Sequence, residues 1–255
     1  MQYFRRENRD KVALVYFDNP PVNVMEDPVM LELETLVDEL AADDSVRAVV
    51  LTGAAPKAFC AGADIKGFFE LVEKKKEDVG GQRIYGKLEK LEKPVIAAVN
   101  GVALGGGFEL AMACHIRFAS EKARFALPEV GLGIIPGWGG TQRLPRIVGR
   151  ARALDLILNS KMLSAAEAKE LGIVLEVYAP DELVEKAVEY ADVLANKAPQ
   201  AVRSALRAVM TGSELPLEEG LKVEHSGINA CFDTKDAYEG ATAFVEKRPP
   251  HFTGE

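Results

Sequence analysis

The most informative segment of the chain reads Pro94-Val-Ile-Ala-Ala-Val-Asn-Gly-Val-Ala-Leu-Gly-Gly-Gly-Phe-Glu-Leu-Ala-Met-Ala-Cys114. Its first residues, 94–99, are all apolar after the proline, which predicts a buried strand. The triple glycine at 105–107 predicts a sharp turn, because a backbone without side chains can bend tightly and approach a ligand closely. Residues 108–114 predict an apolar helix that carries one acid, Glu109. We therefore expect a strand, a glycine turn and a helix in succession, as in an α/β fold.

The glycine turn has two possible uses. It leaves N–H groups without partners at the start of the helix, where the helix dipole favours negative charge. Ala58-Phe-Cys-Ala-Gly-Ala-Asp-Ile-Lys66 is a second segment that follows a strand and leads into a helix. Two such turns facing each other would supply two N–H donors to one developing oxyanion. Tight packing of a helix on a sheet explains the triple glycine equally well, so both interpretations stay open at this point.

Two acids stand in surroundings that are unusual for a carboxylate. Glu109 lies in an apolar stretch, where an acid is costly to bury unless it is paired or functional. Glu129 follows Phe125-Ala-Leu-Pro128 and precedes a glycine-rich run at 131–140. Each acid taken alone could be a helix cap or a salt-bridge partner.

Short β-branched runs alternate with helical stretches over the first two-thirds of the chain, and helices follow. The residues that predict strands are 12–17, 47–52, 94–99 and 173–178. The residues that predict helices are 27–42, 66–76, 82–91, 150–159, a segment opened by the capping box at Ser164 and Glu167, 181–196, 199–210, 216–232 and 234–247. We expect an α/β core over 1–180 and a helical C-terminal region over 181–255.

The composition argues against nucleic-acid and membrane partners. The net charge is −8, so no overall basic field would attract nucleic acid or an anionic membrane. The basic run at 74–76 lies between two glutamates, which is typical of a solvated helix face. No run of about 18 apolar residues predicts a membrane span. The residues at 1–10 lack the apolar centre of a signal peptide, and three sparse cysteines suit a reducing compartment, so we expect a cytoplasmic protein.

Motifs for other sites fail at the positions that matter. Residues 62–67 have the glycine spacing of a P-loop, but Phe68 stands where the phosphate-binding lysine is required. Residues 131–136 begin like a dinucleotide fingerprint but place a proline at the third glycine. The sequence has no GxSxG elbow. The three histidines are far apart and outside any HExxH motif, so we expect no metal site.

Three segments taken together resemble the enoyl-CoA hydratase/isomerase (crotonase) superfamily. They are 58–66, 94–114 and Leu127-Pro-Glu-Val-Gly-Leu-Gly-Ile-Ile-Pro-Gly-Trp-Gly-Gly-Thr-Gln-Arg-Leu-Pro145, and the likeness extends to the ending at 240–248. The resemblance implies a spiral of repeated ββα units, followed by a helical region that builds a trimer, usually within a hexamer. It also implies an acyl-CoA substrate, no metal and no separate cofactor, and a place in fatty acid metabolism such as β-oxidation.

The resemblance also implies a role for each candidate site residue. The backbone N–H groups of Ala63 and Gly106 would form an oxyanion hole for the thioester oxygen. Both acid positions are glutamate, which is the hydratase pattern, so Glu109 would help take a proton from water and Glu129 would deliver a proton to the α carbon. The substrate would lie along Ala61, Gly62, Ala63, Asp64, Ile65, Lys66 and Gly106. We expect a hydro-lyase that adds water to the α,β double bond of an enoyl-CoA.

Two side chains are candidates for the acyl pocket. By resemblance, Phe68 and Trp138 can face the acyl end of the substrate, where a large indole would favour short or compact acyl groups. The alternative is that Trp138 packs against the C-terminal helices and only stabilises its loop. His115 stands where many relatives have aspartate, and we assign no function to it.

Other functions remain to be compared with hydration. The nearest is another crotonase-fold reaction on an acyl-CoA, such as enoyl-CoA isomerisation, thioester hydrolysis or hydration of a cyclic dienoyl-CoA. An RNA-binding member of the fold is disfavoured by the acidic composition. A catalytically inactive structural subunit is disfavoured because both glutamates are present.

Overall fold

The computed structural model describes residues 1–55, 57–64 and 80–255. The predicted helix at 66–76 and the basic run at 74–76 lie outside the described residues. The same holds for three candidate site residues, Ile65, Lys66 and Phe68.

Strands and helices alternate along the described residues, as the sequence pattern predicts. The strands are β1 (Phe4–Arg9), β2 (Val12–Phe17), β3 (Val24–Met25), β4 (Ala48–Gly53), β5 (Ala58–Cys60), β6 (Gly62–Ala63), β7 (Val95–Val99), β8 (Val102–Leu104), β9 (Ile116–Ser120), β10 (Arg124–Ala126), β11 (Leu163–Ser164) and β12 (Glu176–Tyr178). The helices are α1 (Asp27–Ala42), α2 (Gly81–Glu89), α3 (Gly106–Ala113), α4 (Gly140–Val148), α5 (Arg150–Leu158), α6 (Ala165–Glu170), α7 (Leu183–Ala195), α8 (Pro199–Gly212), α9 (Leu217–Phe232) and α10 (Lys235–Glu246). A short 3-10 helix spans Glu129–Leu132.

The chain moves back and forth between two sheets. The larger sheet has the order β1-β2-β4-β7-β9-β12, and its neighbours are parallel except for β1 and β2. The smaller sheet has the order β11-β10-β8-β5. Each of β4, β7 and β9 in the larger sheet is followed along the chain by a strand of the smaller sheet, namely β5, β8 and β10. The glycine turn before α3 therefore begins directly at the end of β8.

The central strands of the larger sheet are buried on both faces, which explains their apolar sequences. Along β2, Ala13 and Val15 belong to the main core, whereas Val12 and Leu14 belong to a second apolar cluster on the opposite face. Helix α7 covers the second face with Leu183 and with alanines that recur every fourth residue, at 187, 191 and 195. The first helix of the predicted C-terminal region thus packs on the sheet, and the boundary at 180/181 stays a prediction.

Most predicted elements are present, with differences that have local causes. The strand at 12–17, the helix at 27–42 and the capping box at Ser164 and Glu167 are confirmed. The predicted strand at 173–178 begins only at residue 176, because the N–H groups of Ile173 and Val174 donate to the carbonyl of Ala168 at 2.8 and 3.3 Å and close the end of α6. Helix α4 was not predicted, because it follows a glycine-rich run and contains a proline.

The helices after α7 hold the end of the chain and expose much apolar surface. Asp236 ties the end of the chain to α10, since its carboxylate accepts from the N–H groups of Thr253 and Gly254 at 2.8 and 2.9 Å. The large exposed apolar side chains on α9 and α10 include Leu217, Phe232, Tyr238, Phe244 and Val245. Within the described ranges, every helix is too short or too polar to cross a membrane.

Candidate active site

The glycine turn at the start of α3 has the predicted form. Gly105 has a φ of 49°, in the left-handed region that favours glycine, and its carbonyl accepts the N–H of Glu109 at 2.9 Å. Gly106 and Gly107 occupy the first two helical positions, where an N–H has no partner inside the helix. The turn therefore presents N–H groups at the positive end of the helix dipole.

The loop at 61–64 is held in place by β3. The Ala61 N–H donates to the carbonyl of Val22 at 3.0 Å, and the Asp64 N–H donates to the carbonyl of Met25 at 3.1 Å. Successive N–H groups of an extended strand point to opposite sides. The bond from Asp64 to β3 therefore directs the Ala63 N–H away from β3. Ala63 itself is exposed.

This loop and the glycine turn meet at Gly62. Its φ is 99°, and a β-carbon there would lie 2.7 Å from the carbonyl oxygen of Leu104 and 3.6 Å from the nitrogen of Gly106. Both sterics and backbone conformation therefore require glycine at position 62. The two segments that carry the predicted oxyanion donors, Ala63 and Gly106, are neighbours in the structure.

Glu109 is buried and points at backbone N–H groups. It is 2% exposed, and its Oε1 accepts from the N–H of Trp138 at 2.9 Å and from the N–H of Gly140 at 2.7 Å. Burial raises the pKa of Glu109 to about 7; the bond from Gly140 opposes this shift, and the charge of Glu129 adds to it. A carboxyl group with a pKa near neutrality can both accept and donate a proton at physiological pH.

Glu129 opens the 3-10 helix and lies over the glycine turn. It is 9% exposed, and burial raises the pKa of its carboxyl. A β-carbon on Gly105 would lie 2.6 Å from Glu129 Oε1, so the turn can pass beneath this carboxylate only as glycine. Glu129 Oε2 is buried and has no hydrogen-bond partner, and no other buried side-chain oxygen or nitrogen in the described part of the chain shares that property. Leaving such an atom unpaired costs about 1–3 kcal/mol, which makes Glu129 Oε2 a candidate acceptor for a water or a ligand.

The indole of Trp138 covers the first turn of α3. A β-carbon on Gly81 would lie 2.5 Å from Trp138 Cδ1, and one on Gly106 would overlap the far edge of the ring. Tyr85 packs edge-on at 5.7 Å between ring centroids, and its hydroxyl donates to the carbonyl of Gly106 at 2.9 Å. These contacts of Trp138 come from α2 and α3, beside the proposed oxyanion donor, and not from the C-terminal helices.

The N–H groups that hold Glu109 were not predicted as its partners. The N–H donors belong to the loop at 136–140, and a β-carbon on Gly140 would lie 2.9 Å from Glu109 Oε1. The glycine pair at 139–140 was the available signal, because close approach of a backbone to a buried acid requires glycine.

The structure describes only some of the remaining predicted site residues. Ala61, Gly62 and Asp64 lie on the loop beside Gly106, whereas Ile65, Lys66 and Phe68 are outside the described residues. A cleft of about 990 Å³ opens between α2, α4 and α8. Trp138 lines this cleft, whereas Glu109 and Glu129 do not. In the ranges 1–55, 57–64 and 80–255, no group of three or more His, Cys, Asp or Glu side chains is placed to hold a metal ion.

Comparisons with known proteins agree on one family. The sequence model of the family described as enoyl-CoA hydratase/isomerase matches residues 7–255. The chain is 44% identical over 245 residues to the short-chain-enoyl-CoA hydratase of Clostridium acetobutylicum, covering 95% of this chain and 94% of that protein. It is 40% identical over 249 residues to the crotonyl-CoA hydratase of Syntrophomonas wolfei, covering 96% of each. The fold matches a crystal structure of an enoyl-CoA hydratase from Bacillus anthracis with a TM-score of 0.96 and 40% identity, covering all of both chains.

Proposed function

The chain belongs to the enoyl-CoA hydratase/isomerase family, and on that premise we propose that it catalyses the reversible syn addition of water to the α,β double bond of an enoyl-CoA, giving a 3-hydroxyacyl-CoA. The observation that carries the proposal is a pair of buried glutamates beside a glycine turn whose N–H groups have no side-chain cap at the start of the helix. The names of two similar proteins, short-chain-enoyl-CoA hydratase and crotonyl-CoA hydratase, point to the same chemistry.

In this mechanism the thioester oxygen accepts from the N–H groups of Ala63 and Gly106. Negative charge grows on that oxygen when water attacks the β carbon, so donors that already point at it stabilise the transition state more than the substrate. Loss of one such donor typically costs about 3 kcal/mol, or a hundredfold or more in rate. The neighbouring positions of Gly62 and Gly106 support this assignment.

The two glutamates divide the proton transfers. The attacking water lies between them, with Glu129 Oε2 as one of its acceptors. Glu109 takes a proton from the water while the hydroxyl oxygen bonds to the β carbon, and Glu129 gives its proton to the α carbon of the resulting enolate. The proton then returns from Glu109 to Glu129 through the next water, and dehydration uses the same groups in reverse. The raised pKa values of both carboxyls support a pair that shares one proton.

The direct test of this function is hydration of crotonyl-CoA. Water addition removes the conjugated double bond, so the absorbance of the conjugated thioester should fall and a 3-hydroxyacyl-CoA should appear by mass. A parallel panel of 3-enoyl, saturated and cyclic dienoyl thioesters separates hydration from isomerisation, hydrolysis and cyclic hydration. A turnover on one of those substrates that exceeds the best hydration rate would replace the proposal with that reaction.

We also propose a position for the rest of the substrate. Coenzyme A would lie along the predicted substrate-binding residues at 61–66, and it is part of the substrate, so no separate cofactor is required. The acyl chain would extend from Gly106 past Trp138, whose ring edge lies against that glycine.

Replacement of Trp138 by alanine should change acyl selectivity. We expect the variant to raise kcat/KM for a long-chain enoyl-CoA relative to crotonyl-CoA by about tens-fold, because one or two methylenes of pocket space are worth about 1–3 kcal/mol. The measurement is the ratio of kcat/KM across chain lengths from four carbons upwards. An unchanged ratio in a folded variant would show that Trp138 only packs.

The proposal also covers the fold of the core, the oligomeric state and the cellular location. We propose a ββα spiral over 1–180, supported by the alternation of β4, β7 and β9 with strands of the second sheet. We propose that the helical region at 181–255 forms a homo-oligomer, a trimer or hexamer, because large exposed side chains such as Phe232 and Phe244 favour burial against another copy. A cytoplasmic place in fatty acid β-oxidation fits three free cysteines and an acyl-CoA substrate.

A further inference from the structure

The guanidinium of Arg143 joins two parts of the site that are far apart in sequence. Arg143 lies on α4, and its Nε and Nη2 donate to the two carboxylate oxygens of Glu89 at 2.9 and 2.8 Å. Its Nη1 donates to the carbonyl oxygen of Trp138 at 2.9 Å. A single side chain thus fixes the end of α2 to the loop that carries the N–H donors for Glu109.

Glu89 is itself anchored to the larger sheet. It is the last residue of α2, and its carbonyl accepts a hydrogen bond from Nε2 of His115 at 3.0 Å. The N–H of Val95 at the start of β7 donates to Nδ1 of the same ring at 2.9 Å. These two bonds fix the neutral ring with its proton on Nε2, and burial lowers the pKa of His115. His115 therefore has a structural role in a chain of bonds that runs from β7 to Arg143.

The loop residue Trp138 is held on both sides of its backbone. Its carbonyl accepts from Arg143, and its N–H donates to Glu109 Oε1 at 2.9 Å. A β-carbon on Gly139, which has a φ of 114°, would overlap the guanidinium of Arg143, so glycine is required where the arginine crosses the loop. Rotation of this loop would change the direction of the bond to Glu109.

We propose that Arg143, held by Glu89, is a positioning residue that fixes the orientation of Glu109 for proton transfer through the backbone of Trp138. The inference rests on the proposed hydration chemistry for its catalytic consequence. Arg143 touches neither the water nor the acyl group in that mechanism, and it acts through the loop.

The local electrostatics make this pair sensitive to removal. The side chains of Arg143 and Glu89 are 13% and 27% exposed, and their bidentate geometry is the stronger kind of ion pair. Glu89 also stands at the C-terminal end of a helix, where an unpaired carboxylate is unfavourable. Removal of Arg143 therefore leaves a partly buried charge without its partner and frees the Trp138 carbonyl.

The charged and titratable groups that face Glu109 come from three elements. Glu129 approaches from the 3-10 helix, Arg143 from α4, and the buried phenol of Tyr85 from α2. The charge of Arg143 lowers the pKa of Glu109, and the bond from the Trp138 N–H lowers it too. Both effects weaken when Arg143 is lost, so the pKa of Glu109 should rise.

The test compares Arg143→Met with Arg146→Met. Methionine keeps an apolar stem but lacks the guanidinium. Arg146 lies one turn further along the same helix and pairs with Glu214 on the surface. Arg146→Met is therefore a matched control, because it removes the same charge from the same helix. We expect Arg143→Met to lower kcat for hydration by about 10- to 100-fold with KM within a few-fold, whereas Arg146→Met stays within about twofold. Because hydration requires ionised Glu109, the acidic limb of the kcat profile should move to higher pH in Arg143→Met.

Trp138 provides a second readout that does not depend on activity. It is the single tryptophan of the chain, so intrinsic tryptophan emission reports this loop alone. Emission of the wild-type protein should titrate with the ionisation of Glu109, the titration should be absent in Glu109→Gln, and its midpoint should move to higher pH in Arg143→Met. If the wild-type protein hydrates no enoyl-CoA, the proposed function fails while this emission still tests the positioning role.

Three further variants, Glu89→Gln, the double variant of Glu89→Gln with Arg143→Met, and Arg143→Lys, make the result decisive. Glu89→Gln should reproduce the effects of Arg143→Met, and the double variant should be little worse than either single variant, because both remove one interaction. Arg143→Lys keeps the charge but lacks the planar, bidentate guanidinium, and it should recover part of kcat. A folded Arg143→Met protein whose kcat profile and emission midpoint match those of Arg146→Met would overturn the proposal, as would additive effects of the two single changes.

Discussion

Glu109→Gln and Glu129→Gln should each lower the turnover number for crotonyl-CoA hydration by about a hundredfold or more, while binding of an acyl-CoA stays within a few-fold. The amide is nearly the same size as the carboxyl but cannot take or give the proton. Binding should persist because the thioester is held by backbone N–H groups of the loops and not by these side chains. Steady-state kinetics and calorimetric binding of a saturated acyl-CoA measure the two quantities separately.

Asp236→Asn is the matched control for this change. Asp236 is also 2% exposed and also accepts two backbone N–H groups, but it lies on α10 and ties down the end of the chain. The same acid-to-amide replacement there should leave turnover within about twofold of the wild-type value, even where it lowers the free energy of unfolding. Turnover near the wild-type value in either glutamate variant would remove that glutamate from the mechanism.

Neither glutamate variant should rearrange the site. In Glu109→Gln the amide oxygen can still accept from the N–H groups of Trp138 and Gly140, so the loop keeps its position. In Glu129→Gln the buried Oε2 becomes an oxygen or an NH2 group without a protein partner, as before. We therefore attribute a loss of turnover in folded variants to proton transfer and not to rearrangement.

The sequence predicts those parts of the site that depend only on neighbouring residues in the chain. The apolar neighbours of Glu109 along α3 indicate a buried acid, and the glycines at 105–107 indicate a close backbone approach, before any tertiary contact is known. Both features are present in the structure. The strand at 12–17 is predicted for the same reason, since a run of apolar residues between polar ends needs no distant partner to be recognised.

The parts that the sequence does not predict depend on distant partners. Strands β3 and β6 are two residues long and exist because they pair with each other across 38 positions, Val24 with Gly62. Arg143 and Glu89 are 54 positions apart, and neither lies in a motif that indicates an ion pair. The residues that hold Glu109 in place can therefore be recognised only in the folded structure. Glu109 itself can be recognised from the sequence as an acid in an apolar helix.

The effect of a substitution at Gly106 also depends on a distant residue that the sequence does not reveal. From the sequence, alanine at 106 keeps the backbone N–H and adds only a methyl group, so it should be milder than proline. In the structure that methyl group would overlap the ring of Trp138. Alanine therefore displaces the indole as well, and the comparison of alanine with proline alone does not isolate the N–H.

Combining each change at position 106 with Trp138→Ala isolates the contribution of the Gly106 N–H. We expect Gly106→Ala to lose most hydration activity in the wild-type background and to recover to within about tenfold of Trp138→Ala when the ring is also removed. Gly106→Pro with Trp138→Ala should stay about a hundredfold or more below Trp138→Ala, because proline lacks the N–H that would polarise the thioester. Proline is well tolerated at the first helical position, so this variant should fold. The measurement is kcat/KM for crotonyl-CoA in the wild-type protein, Gly106→Ala, Trp138→Ala and the two double variants, with circular dichroism to verify folding. Equal recovery of the alanine and proline double variants would mean that Gly106 serves only to make room for Trp138, and that the oxyanion is stabilised by other donors.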